Sequence, residues 1–139
     1  MNDADALTLV NSECDWMLQT LVHSANVGVE IGVTLTTAAG IVTGTIIGGA
    51  KYMDQQKALL AERWGTDELR SSFDDIFTAW RERYVQKDDG EEPSAPIYIH
   101  LSSAKLLTHG QFVPSDPGML WRGKINEVIG FSIGILSRN

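Results

Sequence analysis

The chain has 139 residues, 43% hydrophobic and 21% charged, which fits one globular domain able to bury roughly two-thirds of its unfolded surface and excludes wholesale disorder. A formal net charge of −7 argues against a general nucleic-acid binder, because phosphate contacts need a basic surface. The acidity is uneven: residues 53–92 hold eleven acids and six bases, whereas residues 93–139 hold two acids and four bases.

The first predicted element is a helix from about Ala4 to Ala25. Leu7, Val10, Cys14, Met17, Leu21 and Ala25 recur at three- and four-residue steps and make one apolar stripe. Asp3 and Asp5 stand where carboxylates can cap free N–H groups, and Asn26 and Gly28 tolerate the left-handed conformation that ends helices. The opening Met1-Asn2-Asp3-Ala4-Asp5 lacks the basic region and apolar core of a secretion signal. The lone Cys14 has no internal disulfide partner, so a reducing cytoplasm is expected.

Ile31 to Ala50 is twenty residues without a charge, and Gly40, Gly44 and Gly48 repeat at the spacing of a membrane helix-pairing motif. Five of the twenty are threonine, however, and Val29, Ile31, Val33 and Leu35 alternate with Glu30, Gly32, Thr34 and Thr36. A period of two belongs to a strand. A hairpin is therefore expected, with strands near 29–37 and 41–48, a turn at Ala38-Ala39-Gly40, and a bend at Gly44.

Two helices should follow. Tyr52 to Trp64 forms the first, closed by Gly65; Thr66 caps the second, with Asp67 and Glu68 in its first turn. Leu69, Phe73, Ile76, Phe77, Trp80 and Tyr84 form an aromatic-rich stripe that must be buried on the sheet or against another chain. Lys87 to Pro96 reads as a solvated linker. Strands are then expected at 97–107, at 119–123 after a loop with Pro114 and Asp116-Pro117-Gly118, and at about 124–136.

No catalytic, cofactor or metal constellation stands out. Cys14 and His23 lie nine residues apart on a helix and point in opposite directions. His100 alternates away from Ile99 and Leu101 and reads as a surface or interface histidine, and neither it nor His109 has metal-ligand spacing to other donors. Gly44 to Lys51 fails the phosphate-loop pattern because Ala50 stands where lysine is required. Trp121-Arg122-Gly123 is the sharpest contact candidate. Trp121 reads as packing; Arg122 reads either as structural or as reaching a ring pore, a neighbouring subunit or an acidic partner. Phe73, Phe77 and Trp80 read first as core, and are the best place for a partner helix if the inserted helices project from the sheet.

The order of helix, bent hairpin, strand, short strand and strand resembles the Sm-like (LSm/Hfq-like) barrel. Val33-Thr-Leu-Thr-Thr-Ala-Ala-Gly-Ile-Val-Thr-Gly-Thr-Ile46, Leu101-Ser-Ser-Ala104 and Arg122-Gly123-Lys-Ile125 carry the resemblance. It implies an α+β, mainly β fold: a small bent antiparallel β-barrel, one domain over 1–139, with an N-terminal helix at about 4–25 and a helical insertion at about 51–95 between strands 2 and 3. Of the Asp, Asn and Arg that such barrels use for RNA, only Arg122 is present, and Tyr98 stands near the expected Asn.

A resemblance over nearly the whole chain is to the gas vesicle accessory family GvpU. It rests on Glu30-Ile-Gly-Val-Thr-Leu35, Val42-Thr-Gly-Thr-Ile-Ile-Gly48 with Lys51-Tyr52, Ile99-His-Leu101 with Ala104-Lys105, and Trp121-Arg-Gly-Lys-Ile-Asn-Glu-Val-Ile-Gly-Phe131. That resemblance implies a cytoplasmic, non-enzymatic protein that assists gas vesicle assembly, stability or clustering, with vesicle shell or other accessory proteins as partners. Exposed barrel edges add a homo-oligomer, cyclic in form, with no membrane partner. The alternative is an RNA-binding Sm-like ring using Arg122.

Overall fold

The computed structural model describes residues 14–63, 65–85 and 94–137. Helix α1 spans Trp16–Asn26. Its cap is Asp15, whose carboxylate accepts from the Met17 and Leu18 N–H groups at 2.7 and 3.1 Å, a contact worth about 1 kcal/mol. The expected start near Ala4, with Asp3 and Asp5, lies outside the described residues. Leu18, Val22 and Ala25 supply the buried stripe, and Cys14 packs at its edge.

The threonine-rich run forms the expected hairpin, β1 (Ile31–Thr37) and β2 (Gly40–Ile47). No helix among the described residues is long and apolar enough to cross a membrane. Helices α2 (Gly49–Ala61) and α3 (Asp67–Arg81) follow, and a 3₁₀ turn over Glu82–Tyr84 closes the insertion. The Thr66 side chain caps α3 as expected, accepting from the Leu69 N–H at 3.3 Å. The insertion thus starts two residues earlier than anticipated, directly at the end of β2.

Strand β3 (Tyr98–Thr108) turns into a short β4 (Gln111–Val113), a pairing that sequence patterning placed in a loop. Beyond it, β5 (Met119–Lys124) matches the short strand expected at 119–123, whereas β6 (Val128–Ile133) is much shorter than the final strand expected over about 124–136. A 3₁₀ turn at Ile125–Glu127 separates them and buries Ile125. The continuous apolar pattern of that region conceals this corner.

The six strands among the described residues belong to one antiparallel sheet, ordered β4-β3-β2-β1-β6, with β5 also paired to β3. The fold is α+β. No ladder joins β5 to β6 among the described residues, so the sheet is open where the sequence expectation had it closed into a barrel. Bulges bend it. One lies where β2 meets β3 around Gly44, and a Cβ there would come within 3.0 Å of the Ser102 carbonyl oxygen.

One face of this sheet makes the main core. Val33, Leu35, Val42, Ile46, Ile99, Leu101 and Ala104 meet Leu18, Val22 and Ala25 of α1, together with Ile125. The opposite face is covered as well. Ile47 and His100, partners across β2 and β3, are buried on it where α2 packs against β3. Thr43 is buried under residues 134–136: its hydroxyl accepts from the Leu136 N–H at 2.9 Å, while the Gly134 N–H donates to the Gly32 carbonyl at 2.7 Å.

Candidate functional site

The outer face of β3 and β5 gathers Tyr98, His100 and Arg122 into one cluster. His100 is the cross-strand partner of Arg122, and Tyr98 that of Lys124, so Tyr98, His100 and Arg122 project to the same side. Tyr52 from α2 and Tyr84 from the 3₁₀ turn come down on His100, with ring centroids 4.5 and 5.2 Å away. The Arg122 guanidinium lies 4.0 Å above the Tyr98 ring. Its Nη1 donates to the Tyr84 hydroxyl at 2.7 Å and to His100 Nε2 at 2.8 Å.

Those contacts fix the chemistry of His100. Only 1% of it is exposed, and its pKa is lowered from 6.5 to about 3, chiefly by burial and secondarily by the Arg122 charge. The ring is therefore neutral, accepts through Nε2, and by that hydrogen bond carries its proton on Nδ1. With its acceptor lone pair committed to Arg122, His100 acts as a fastener between sheet and insertion. The surface histidine expected from strand alternation is corrected here: the insertion covers the face that alternation assigned to solvent.

Gly49, the first residue of α2, completes the latch. The Tyr84 ring lies directly on its backbone, in space that any Cβ would occupy. Asn26 at the end of α1 accepts from the Gly49 N–H at 3.0 Å, which ties the same helix start to the other layer. A nearby cleft of about 250 Å³ is lined by Asn26, Glu30, Lys51, Asp54 and Arg81. Its charges are already matched, Lys51 to Glu30 at 2.7 Å and Arg81 to Asp54 at 2.9 Å.

The five residues singled out from sequence separate into different roles. Trp121 is half-buried against the main core, lying over Gly123. Arg122 belongs to the latch. Phe77 is the buried residue of α3, Phe73 is half-buried, and Trp80 is 46% exposed while meeting Phe77 edge-on at 5.2 Å. Helix α3 packs on α2, which in turn packs on β3. Leu69 and Ile76 are exposed beside Trp80, forming a ridge that faces away from α2.

Sequence reasoning missed Tyr52 and the buried state of His100. The available signal was His100 between two fully apolar residues, opposite a run whose glycine pair permits close approach. Among the described residues, no three His, Cys, Asp or Glu side chains gather as a metal site would need.

A family profile described as gas vesicle protein GvpU-like matches residues 15–136. No curated protein and no solved structure matches the chain.

Proposed function

The chain belongs to the GvpU-like gas vesicle family, and on that premise we propose that it is a non-enzymatic accessory or scaffold protein of the cytoplasm. It assists gas vesicle assembly, stability or clustering through contacts with other copies of itself and with vesicle shell or other accessory proteins. Residues 1–139 act as one domain with an Sm-like core, a reading supported by the return of β6 to β1 and the 3₁₀ corner between β5 and β6.

One observation carries the reading. The insertion is fastened to the sheet by Arg122, His100 and Tyr84, yet among the described residues the α3 ridge at Leu69, Ile76 and Trp80 stands exposed. A rigidly held apolar surface loses little freedom on binding, which favours docking. Phe77 meets Trp80 edge-on from behind, while Arg122 holds the platform. Among the described residues strand β6 ends the sheet with an unpaired edge that has no charged side chains, with Ile129 74% and Ile133 60% exposed. Pairing of the free β5 and β6 edges between copies gives a cyclic homo-oligomer and repeats the docking surface several times.

Co-sedimentation with purified gas vesicles tests this. The wild type is expected to pellet with vesicles, and Trp80→Ala to lower the bound fraction about tenfold, the scale of an aromatic hot spot. In sedimentation velocity the wild type should run larger than a 15.3 kDa monomer, with Ile133→Lys shifting it to monomer. Vesicle binding unchanged by Trp80→Ala, or a wild type that is monomeric throughout, contradicts the respective half of the proposal. The RNA reading is not carried forward, because Arg122 is engaged inside the chain by Tyr84, His100 and Tyr98.

A further inference from the structure

The exposed ridge of α3 has a charge pattern that specifies its partner. Leu69 and Ile76 are seven residues apart and Trp80 follows four later, so the three stand in line on one side of the helix. Beside them run Glu68, Asp75 and Glu82, also at seven-residue steps, all exposed and none in an ion pair among the described residues. The acids flank the side of the ridge away from α2, since the buried Phe77 and Arg81 lie on the other side, where Arg81 reaches Asp54 of that helix. An apolar seam with a row of unmatched carboxylates along one flank is half of a helix–helix interface.

We infer that this ridge receives an amphipathic helix of a protein partner whose apolar stripe is bordered by lysine or arginine. The inference rests on the proposal that α3 is the docking surface, and it adds the chemistry of the occupant. A second copy of α3 does not fit. An antiparallel two-fold pair would set both acidic rows on the same side and bring six carboxylates together. An anionic lipid surface meets the same repulsion. A basic helix meets three carboxylates at the spacing of its own turns and covers Trp80, Ile76 and Leu69 as it docks.

Two designed 21-residue helical peptides provide the probe, identical in their leucine stripe and carrying either lysine or glutamate along one flank. Fluorescence anisotropy with the full chain is expected to give about tenfold tighter binding of the lysine peptide, the sum of three modest exposed charge pairs. Ile76→Asp should abolish binding of both. The triple variant Glu68→Lys, Asp75→Lys, Glu82→Lys should reverse the preference, a result that damage to the fold cannot produce. Equal affinity for the two peptides, including no binding of either, overturns the inference. So does an unreversed preference in the triple variant, or self-association that Ile76→Asp dissolves, which would make a second copy the occupant. Vesicle co-sedimentation reports separately: if the chain still pellets with vesicles when the peptides are not discriminated, the accessory role stands and only the partner chemistry falls.

Discussion

Acidification is expected to weaken this protein through one histidine. The His100 ring titrates near 6.5 in an unfolded chain, but burial and Arg122 lower its pKa to about 3 in the folded one. Between those values the unfolded state binds a proton that the native state refuses. Stability then rises with pH, so the contribution is complete above pH 6.5 and is lost progressively as pH falls toward 3. At about 1.4 kcal/mol per pH unit, about 2 kcal/mol should be gone by pH 5. Urea unfolding of the wild type and His100→Gln at pH 7.5 and pH 5 measures it. Glutamine keeps a neutral acceptor for Arg122 but does not titrate, and carboxylates shared by both proteins cancel in the difference. The advantage of the wild type over the variant should shrink by about 2 kcal/mol at the lower pH. A gap that stays constant would show that His100 does not refuse the proton.

The second large effect is expected at Gly49, where two physical effects predict opposite signs. Helix propensity alone makes Gly49→Ala stabilising by up to about 1 kcal/mol. Sterics make it destabilising, because the new methyl enters the Tyr84 ring. That ring cannot yield easily: its hydroxyl accepts from Arg122 at 2.7 Å and its edge meets His100. Overpacking of this kind costs about 1–3 kcal/mol, so the net effect should be a loss of about 1 kcal/mol. Thermal melting gives the sign, and hydrogen exchange gives the place. Amides of α2 and α3 should exchange faster while those of β1 and β2 keep their protection. A variant that melts higher than wild type would mean that Tyr84 is not fixed on that backbone.

Where the sequence was legible, one face of an element was solvated or a cap was local. The hairpin announced itself because Val33 and Leu35 alternate with threonines, and the observed strands lie within two residues of the expected ones. The α3 cap at Thr66 and the stripe behind it depend on neighbours within one turn, so they too were readable. What failed was the assumption that a strand has an inside and an outside. Residues 99–101 are buried consecutively, because α1 covers one side and the insertion the other. His100 was misplaced for that reason. The cap at Asp15 was not read because the apolar stripe runs past it from Leu7 to Ala25 without a break. The 3₁₀ corner at 125–127 was hidden by apolar residues on both sides of it. The site was legible as isolated residues, Arg122 and Trp80 among them; the convergence of Tyr52 and Tyr84 on one histidine, and of Tyr84 and Tyr98 on Arg122, depends on contacts between residues far apart in the chain.

The burial of three successive β3 residues also constrains how this protein can change over evolutionary time. An ordinary half-solvated strand absorbs neutral replacements at every other position, but here the middle one is keyed to an arginine on a neighbouring strand and tyrosines from the insertion. Replacing the imidazole alone strands a guanidinium donor; replacing the guanidinium alone strands a phenol and a ring nitrogen. Lineages should therefore either keep the whole trio or exchange its members together, so that positions 84, 100 and 122 covary as a single inherited unit.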